Sequence, residues 1–426
     1  MPHQEAVTIR AWIKPSEIDA LRASLARVNA DIEANALVPF GSMPDVHFAR
    51  FVILDDAPVG DRIVPASLVY AGNVDAPSSA HLDALTACGP GLDAIWQHCD
   101  GYPPASLRTA ATRLEYLNAH MIPTAAFYVN TIGRSVRQAR SEAALRDALQ
   151  TALDRSRTSR THGDVAAVLR KHCRDDPSLR DLLEPAEGLS GEWRTNEIAT
   201  IVRTAVGALI VAPLAIVVGI PWVLYLRRLE RQDASAAPLR LGANRRGQLA
   251  IAEDHVVQNQ FSAVGSVKPH WLRRLTLRVL LAAADFATRH HFNKGDLGTV
   301  PPLGLNGVDT IHFAQWIVLD DGYRVLFLSN YDGSLTSYMD DFINKVAWGL
   351  NAVFSHGENY PATRWLVLDG ASDEQNFKAF LQKHQIPTQA WYSGYKDSSA
   401  LNLTNNAAIR AGLAGESRSP DWVTRL

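Results

Sequence analysis

The sequence predicts an α+β protein in which one unit occurs twice, and three observations predict it. The stretch His47 to Asp56 reads HFARFVILDD, and His312 to Asp321 reads HFAQWIVLDD. Other landmarks recur in the same order: Lys14-Pro15 with Lys268-Pro269, Asn73 and Asp75 with Asn330 and Asp332, GLDAIWQHCDGYP with GLNAVFSHGENYP, and HMIPTAAFY with HQIPTQAWY. Between the copies lies a stretch without charge, Thr204 to Leu226. Ordered recurrence over so long a period reads as internal duplication and excludes a solenoid.

In the first copy, Ala6 to Ile13 alternates like a strand and Lys14-Pro15 closes it. A helix follows, with Ile18, Leu21, Leu25 and Val28 at helical spacing and Pro15 where a first turn tolerates it. HFARFVILDD is the second strand and Ile63 to Ala71 the third, ending in GNVDAP. One helix carries Leu82, Leu85, Leu92 and Ile95; another runs from Leu107 to His120, and PTAAFYV closes the unit as a strand. The order is the ferredoxin-like split β-α-β plan with one extra helix. From Gln258 it returns: a strand to Val267, a helix from Trp271 to Phe292, HFAQWIVLDD, and a strand from Arg324 to Ser329. NYDGS is read as a turn before a helix from Tyr338 to Phe354, and Phe377 to Leu381 as the helix before IPTQAWY. The predicted organisation is residues 1–133 for the first copy, 134–250 for a helical insertion with an apolar segment at 198–228, and 251–426 for the second copy and tail.

With 426 residues, 47% of them hydrophobic, and a net charge of −2, the chain has ample core and no basic run suited to nucleic acid. Cys88, Cys99 and Cys173 show neither CxxC spacing nor a dense disulfide pattern, which points to a reducing compartment and inert thiols. The N-terminus has no basic stretch followed by an apolar one, so no cleavable signal is expected.

The run TAVGALIVAPLAIVVGIPWVLYL is long enough to enter a bilayer, whose core takes about 20 apolar residues per helix. A single crossing would place the two copies in different compartments, where they could not pair within one chain. The run is too short for two spans, and Pro213, Gly219 and Pro221 can bend it. A shallow hairpin is therefore expected, with Trp222 and Tyr225 near the headgroups. Both ends and both copies then lie on the cytoplasmic face, beside Arg194, Arg203, Arg227 and Arg228. The alternative is a single tilted span with copies pairing between chains in an oligomer.

Histidines occupy matching places: His47 with His312, His98 with His356, and His120 with His384. The last two pairs stand at helix ends, where histidine caps carbonyls. His47 and His312 stand at strand starts, as hydrogen-bonded neutral rings or as ligands. No HExxH or His-x-x-x-His spacing marks a zinc site, and no phosphate loop or nucleophile elbow occurs. Asp55-Asp56 and Asp320-Asp321 read as hairpin residues.

Two fused ferredoxin-like units resemble the dimeric α+β barrel superfamily, which implies a pseudo-dimeric barrel with a pocket between the copies. The tandem arrangement resembles its heme-binding branch, the dye-decolorizing-peroxidase-like proteins. That branch's Gly-x-x-Asp-Gly motif is approximated by Gly72-Asn73-Val74-Asp75-Ala76, without the last glycine, and by Ser329-Asn330-Tyr331-Asp332-Gly333, without the first. The resemblance implies heme, with Asp332 or Asp75 as distal acid beside Asn330 and Tyr331, and Arg50 stabilising developing charge. It also implies His312 or His356 as the axial ligand of the iron, with His47 at the cofactor. The HFARF, HFAQW and SNYDG segments are similar to the HFARW and SNYDG segments of bacterial membrane-associated proteins of unassigned function, for which the inner membrane is the expected location.

The function expected from the resemblance and the apolar run is a membrane-associated oxidoreductase, peroxidase- or oxygenase-like, acting on a lipophilic small molecule. A non-catalytic membrane-bound ligand-binding or scaffold protein and a cofactor-free monooxygenase are the alternatives.

Overall fold

A computed structural model describes residues 3–155, 161–183, 191–233, 257–290, 310–416 and 420–426. The chain is mixed α and β. Its main strands are β1 (Gln4–Trp12), β2 (Val46–Leu54), β3 (Ser67–Asp75), β4 (Ala126–Val129), β5 (Gln258–Ser266), β6 (Ile311–Leu319), β7 (Arg324–Asp332) and β8 (Thr388–Ser393). They form two antiparallel sheets, ordered β1-β3-β2-β8 and β4-β6-β7-β5. Each sheet takes one edge strand from the other half of the sequence. β8 pairs with β2, Trp391 opposite Arg50, and β4 pairs with β6, Phe127 opposite Gln315.

The α-helices among the described residues are α1 (Ile18–Ala30), α2 (Ser78–Ala87), α3 (Pro90–Trp96), α4 (Ala110–Ala119), α5 (Val136–Arg155), α6 (His162–Asp175), α7 (Pro177–Leu182), α8 (Gly191–Gln232), α9 (Trp271–His290), α10 (Leu335–Phe354), α11 (Glu374–His384) and α12 (Ala400–Ala414). Strand alternation sorts side chains between the two faces of each sheet. Phe51 and Tyr70 point outward into a core with Leu21, Leu25, Leu85, Ile95 and Trp96 of the covering helices. Val52, Leu54, Val69, Ile317, Leu326 and Leu328 point inward, where the two sheets pack on each other. Burying an aliphatic side chain of this kind stabilises the fold by roughly 1.5–3 kcal/mol. A third cluster joins α5, α6, α7 and α12 through Leu145, Leu169, Leu179 and Ile409.

Three local readings change. The expected strand from Ile63 divides: Arg62–Val64 pairs with Ala57–Val59 in a short ribbon, and β3 begins at Ser67 and runs through Asp75. The helix expected through Leu82 and Ile95 breaks at Gly89-Pro90, where Gly89 has φ +56°, a conformation L side chains avoid. Asn330, Tyr331 and Asp332 belong to β7 and the turn is confined to Gly333 and Ser334, because Gln258 and Asn259 of β5 continue the ladder opposite them.

No single helix among the described residues is long and apolar enough to cross a membrane, but Ile198–Pro213 and Val217–Gln232 form a pair bent by 79°. The C-terminal arm of α8 is fastened to the second half. Trp222 Nε1 donates to Thr276 Oγ1 at 2.9 Å, and Glu230 accepts from Thr363 Oγ1 and the amide of Leu366. Asp233 pairs with Lys268 and Arg273, each at 2.7 Å. The helix expected to Phe292 is described to His290; its last two residues lie outside the described residues, as does most of the link between α8 and β5.

Candidate functional site

The ladder registers of β2 with β3 and of β6 with β7 shift at matching points, between Val46 and Phe48 and between Ile311 and Phe313. A bulge re-aims the side chain it carries, and the residues at these two shifts are His47 and His312. His47 Nε2 lies 3.0 Å from Asp75 Oδ1, and its Nδ1 lies 2.9 Å from the Tyr395 hydroxyl. His312 Nε2 lies 2.7 Å from Asp332 Oδ1. The second oxygen of each aspartate accepts from a helix start: Asp75 Oδ2 from the Val136 amide of α5, and Asp332 Oδ2 from the Ala400 amide of α12. A carboxylate at a helix N-terminus meets unpaired N–H groups and the positive dipole end. Both aspartates thus join a histidine to a helix, and the cavity beside His47, His312 and Tyr395 measures about 20 Å³, room for one water.

Midway between the sheets, Arg50 is buried without a carboxylate partner among the described residues. Its guanidinium donates to the Phe261 and Ser329 carbonyls at 2.9 Å, to Ser262 Oγ at 3.0 Å, and to Asn330 Oδ1. Burial lowers its pKa to about 9, so it is charged at neutral pH. Asn330 also accepts from Trp391 Nε1 at 3.0 Å. Tyr331, next along β7, points the other way and stacks on Tyr338 with centroids 4.1 Å apart. Of the residues picked from the sequence, His47, His312, Asp75, Asp332, Asn330 and Arg50 thus come together between the sheets, and Tyr331 does not.

His356 lies apart from them, fully buried at the end of α10, and neither ring nitrogen has a hydrogen-bond partner among the described residues. Burial first, then the nearby Arg273 and Lys268, lowers its pKa to about 3. Its counterpart His98 instead meets Glu17 Oε2 at 2.9 Å. His120 and His384 donate from Nδ1 to the carbonyls of Tyr116 and Phe380, each at 2.8 Å, as helix-end caps do.

Larger room lies on the outer face of the second sheet. A pocket of about 330 Å³ opens between β6, α9 and α10, with Ala284, Ala314, Trp316, Val346, Gly349 and Val353 in its wall. That volume lies in the roughly 300–1,000 Å³ range of small-molecule sites. Two features make the room. Small residues line the facing helices, Ala283, Ala284 and Ala287 on α9 with Gly349 and Ala352 on α10, and α10 is kinked at Val346, where φ is −136°. The matching space under the first sheet is filled: Phe51, at the position of Trp316, packs against Phe40 and Tyr70 with centroids 6.3 and 5.1 Å away. The sequence reading missed this pocket. Its signals were the Ala282-Ala283-Ala284 run and the change from Phe51 to Trp316 inside the repeated stretch.

Neither of these two spaces fits heme. The cavity at His47 and His312 is too small for a porphyrin, and both Nε2 atoms are engaged by carboxylates. The wall of the larger pocket has, among the described residues, no imidazole, thiol or thioether to bind iron, the Tyr128 phenol being its one candidate ligand, and no basic side chain for a propionate. Its chemistry is that of a dry enclosure: it can desolvate an apolar molecule and hold it, and it offers no acid or base of ordinary strength. Set against known proteins, the chain matches no family model and no curated protein, which leaves the pocket's geometry to carry the functional reading.

Proposed function

We propose that this protein binds a lipophilic small molecule at a bilayer surface. The observation that carries the reading is the apolar pocket between β6, α9 and α10. On the outside of α9, Trp271, Leu275 and Val279 recur every fourth residue and are exposed, and Trp348 of α10 is exposed at the pocket wall. Residues four apart share one helix face, so the pocket has an apolar stripe beside it. Tryptophan at such a stripe and arginines next to it, Arg274 and Arg278, are what a headgroup region accepts. An apolar ligand is concentrated in lipid and enters such a pocket without crossing water.

The tandem ferredoxin-like reading, a pseudo-dimeric α+β barrel arising by duplication, draws support from the matching bulges at His47 and His312 and from the exchanged strands β4 and β8. The exchange also favours both halves on one side of a membrane, since each completes the other's sheet. In this reading the bent α8, with Leu209, Ile210 and Val217 exposed, is the shallow hairpin. The site between the sheets acts as a structural joint, and ligand binding without catalysis is preferred to oxidoreductase chemistry because the enclosed apolar pocket between β6, α9 and α10 is lined mostly by unreactive groups.

Titration with N-phenylnaphthylamine, an apolar probe whose fluorescence rises in dry surroundings, tests this. The wild-type protein binds it at one saturable site, and Ala284→Phe, which fills the pocket, abolishes the saturable signal. Equal binding by both proteins would sink the proposal.

A further inference from the structure

We propose that the hairpin at residues 363–369 inserts its tip into the headgroup layer of an anionic bilayer, as a further lipid contact carried by α8. The inference rests on the bilayer reading and adds to it one inserting element and the lipid charge it selects.

Thr363–Arg364 and Leu368–Asp369 pair as the arms of this hairpin, and Trp365, Leu366 and Val367 form its tip. Trp365, Val367 and Leu368 are all exposed. One exposed apolar side chain is ordinary, whereas three on a single short turn make a patch. The backbone beneath them is in an uncommon state: φ is +59° at Trp365 and +64° at Leu366, where Cβ crowds the main chain. Such a conformation persists only where its surroundings impose it, and two buried side chains do so here. Glu230, near the end of α8, accepts from the amides of Trp365 at 3.1 Å and Leu366 at 2.9 Å, and from Thr363 Oγ1. Asn351 of α10 donates from Nδ2 to the carbonyls of Val367 at 3.0 Å and Asp369 at 3.2 Å. Two helices thus hold in place a strained turn whose apolar side chains face outward, which points to a use outside the folded chain.

The occupant follows from what adjoins the tip. Glu230 stands one turn beyond Leu226, where the uncharged run ends, so the hairpin is fastened to the apolar helix itself. On one flank of that arm, exposed Tyr225 meets His270, whose ring stacks on exposed Trp271 of α9. On the other, Arg227 lies over the Trp365 ring, 5.5 Å from its centroid. Tryptophan, tyrosine and arginine side by side are the composition of a membrane–water interface. Arg228 and Arg231 are exposed. The acids of the same stretch are already engaged, Glu230 by Arg227 and the hairpin, Asp233 by Lys268 and Arg273. The exposed charge next to the tip is therefore positive, and it complements anionic headgroups.

The test places an environment-sensitive dye at the tip. Val367→Cys is labelled with NBD and mixed with vesicles of phosphatidylcholine containing phosphatidylglycerol; wild-type protein labelled in parallel gives the background of Cys88, Cys99 and Cys173. The expected result is an emission shift to the blue with a several-fold rise in intensity, quenched by lipid that carries a nitroxide near the top of its acyl chain. On pure phosphatidylcholine the same response is expected to need about tenfold more lipid or above. A melting temperature equal to wild type certifies that the labelled chain is folded. Emission that stays at its value in water while the protein co-floats with the vesicles would overturn the hairpin contact and leave the bilayer reading standing. An equal response on both lipids would overturn the selection of anionic lipid, and protein that does not co-float would sink the hairpin contact and the bilayer reading together.

Discussion

Asn330 donates from Nδ2 to Asn73 Oδ1 at 2.9 Å, joining matching positions of the two halves across the space between the sheets. Asn73 passes the chain on, donating to Gln315 Oε1 at 3.1 Å, while Asn330 Oδ1 accepts from Arg50 and from Trp391. Arg50 and Gln315 stand at the one polar position where HFARF and HFAQW differ. The joint is therefore symmetric in placement and asymmetric in charge, with one buried cation held by neutral acceptors.

Removing an acceptor from that cation is costly. Asn330→Leu leaves Arg50 and Trp391 short of a partner and is expected to lower stability by roughly 2–4 kcal/mol. Arg50→Met in the same chain recovers part of the loss, because the buried charge goes with it. Urea denaturation of the two single variants and the double variant gives the coupling; strictly additive losses would show that the two side chains do not act together.

Asp332 serves His312 and the first turn of α12 at once, and Asp75 serves His47 and α5 in the same way. Asp332→Asn keeps the shape and removes the charge, with an expected loss of roughly 1.5–3 kcal/mol. Hydrogen exchange in the variant should rise first at the start of α12. A variant as stable as wild type, with α12 equally protected, would argue that the aspartate is free for another task.

His356 makes stability depend on pH. Its folded pKa of about 3 lies below the unfolded value near 6.5. Between these values the unfolded chain takes up a proton that the folded chain refuses. Stability therefore falls as pH drops from about 6.5 towards 3, by up to a few kcal/mol. His356→Phe removes the titrating group and leaves no hydrogen bond unmade, so it should flatten this limb and cost little at neutral pH. Denaturation midpoints at several pH values check both statements, and an unchanged acid limb in the variant would count against them.

The stripe on α9 should hold the protein to lipid. Replacing Trp271, Leu275 and Val279 together by serine is expected to reduce co-flotation with anionic vesicles at least tenfold, since each buried apolar side chain contributes on the order of 1 kcal/mol or more. Flotation equal to wild type would assign membrane contact to α8 or to no part of the chain.

What the sequence made legible was local and repeated. HFARFVILDD and HFAQWIVLDD are β2 and β6, and the paired histidines fall at paired places because the register of each ladder shifts at its histidine. NYDGS misled because Asn, Asp and Gly are turn formers, whereas Tyr331 stacked on Tyr338 and the β5 ladder keep that segment extended. The exchange of β4 and β8 was hidden because it pairs segments far apart in the chain, and alternation within a strand does not name its neighbour. The pocket was hidden for a related reason: it depends on small side chains of two helices that meet only in three dimensions, and on a kink at Val346 with no proline or glycine at that residue to announce it.

Photolabelling in vesicles tests the central claim most directly. A small apolar diazirine partitions into lipid, reacts on illumination with whatever surrounds it, and leaves a mass tag that peptide sequencing places. The account predicts saturable labelling of β6 near Ala314 and Trp316 and of α10 from Val346 to Val353, suppressed by excess N-phenylnaphthylamine and lost in Ala284→Phe. Labelling confined to α8 and to the Trp271 face, unaffected by N-phenylnaphthylamine or by Ala284→Phe, would contradict it.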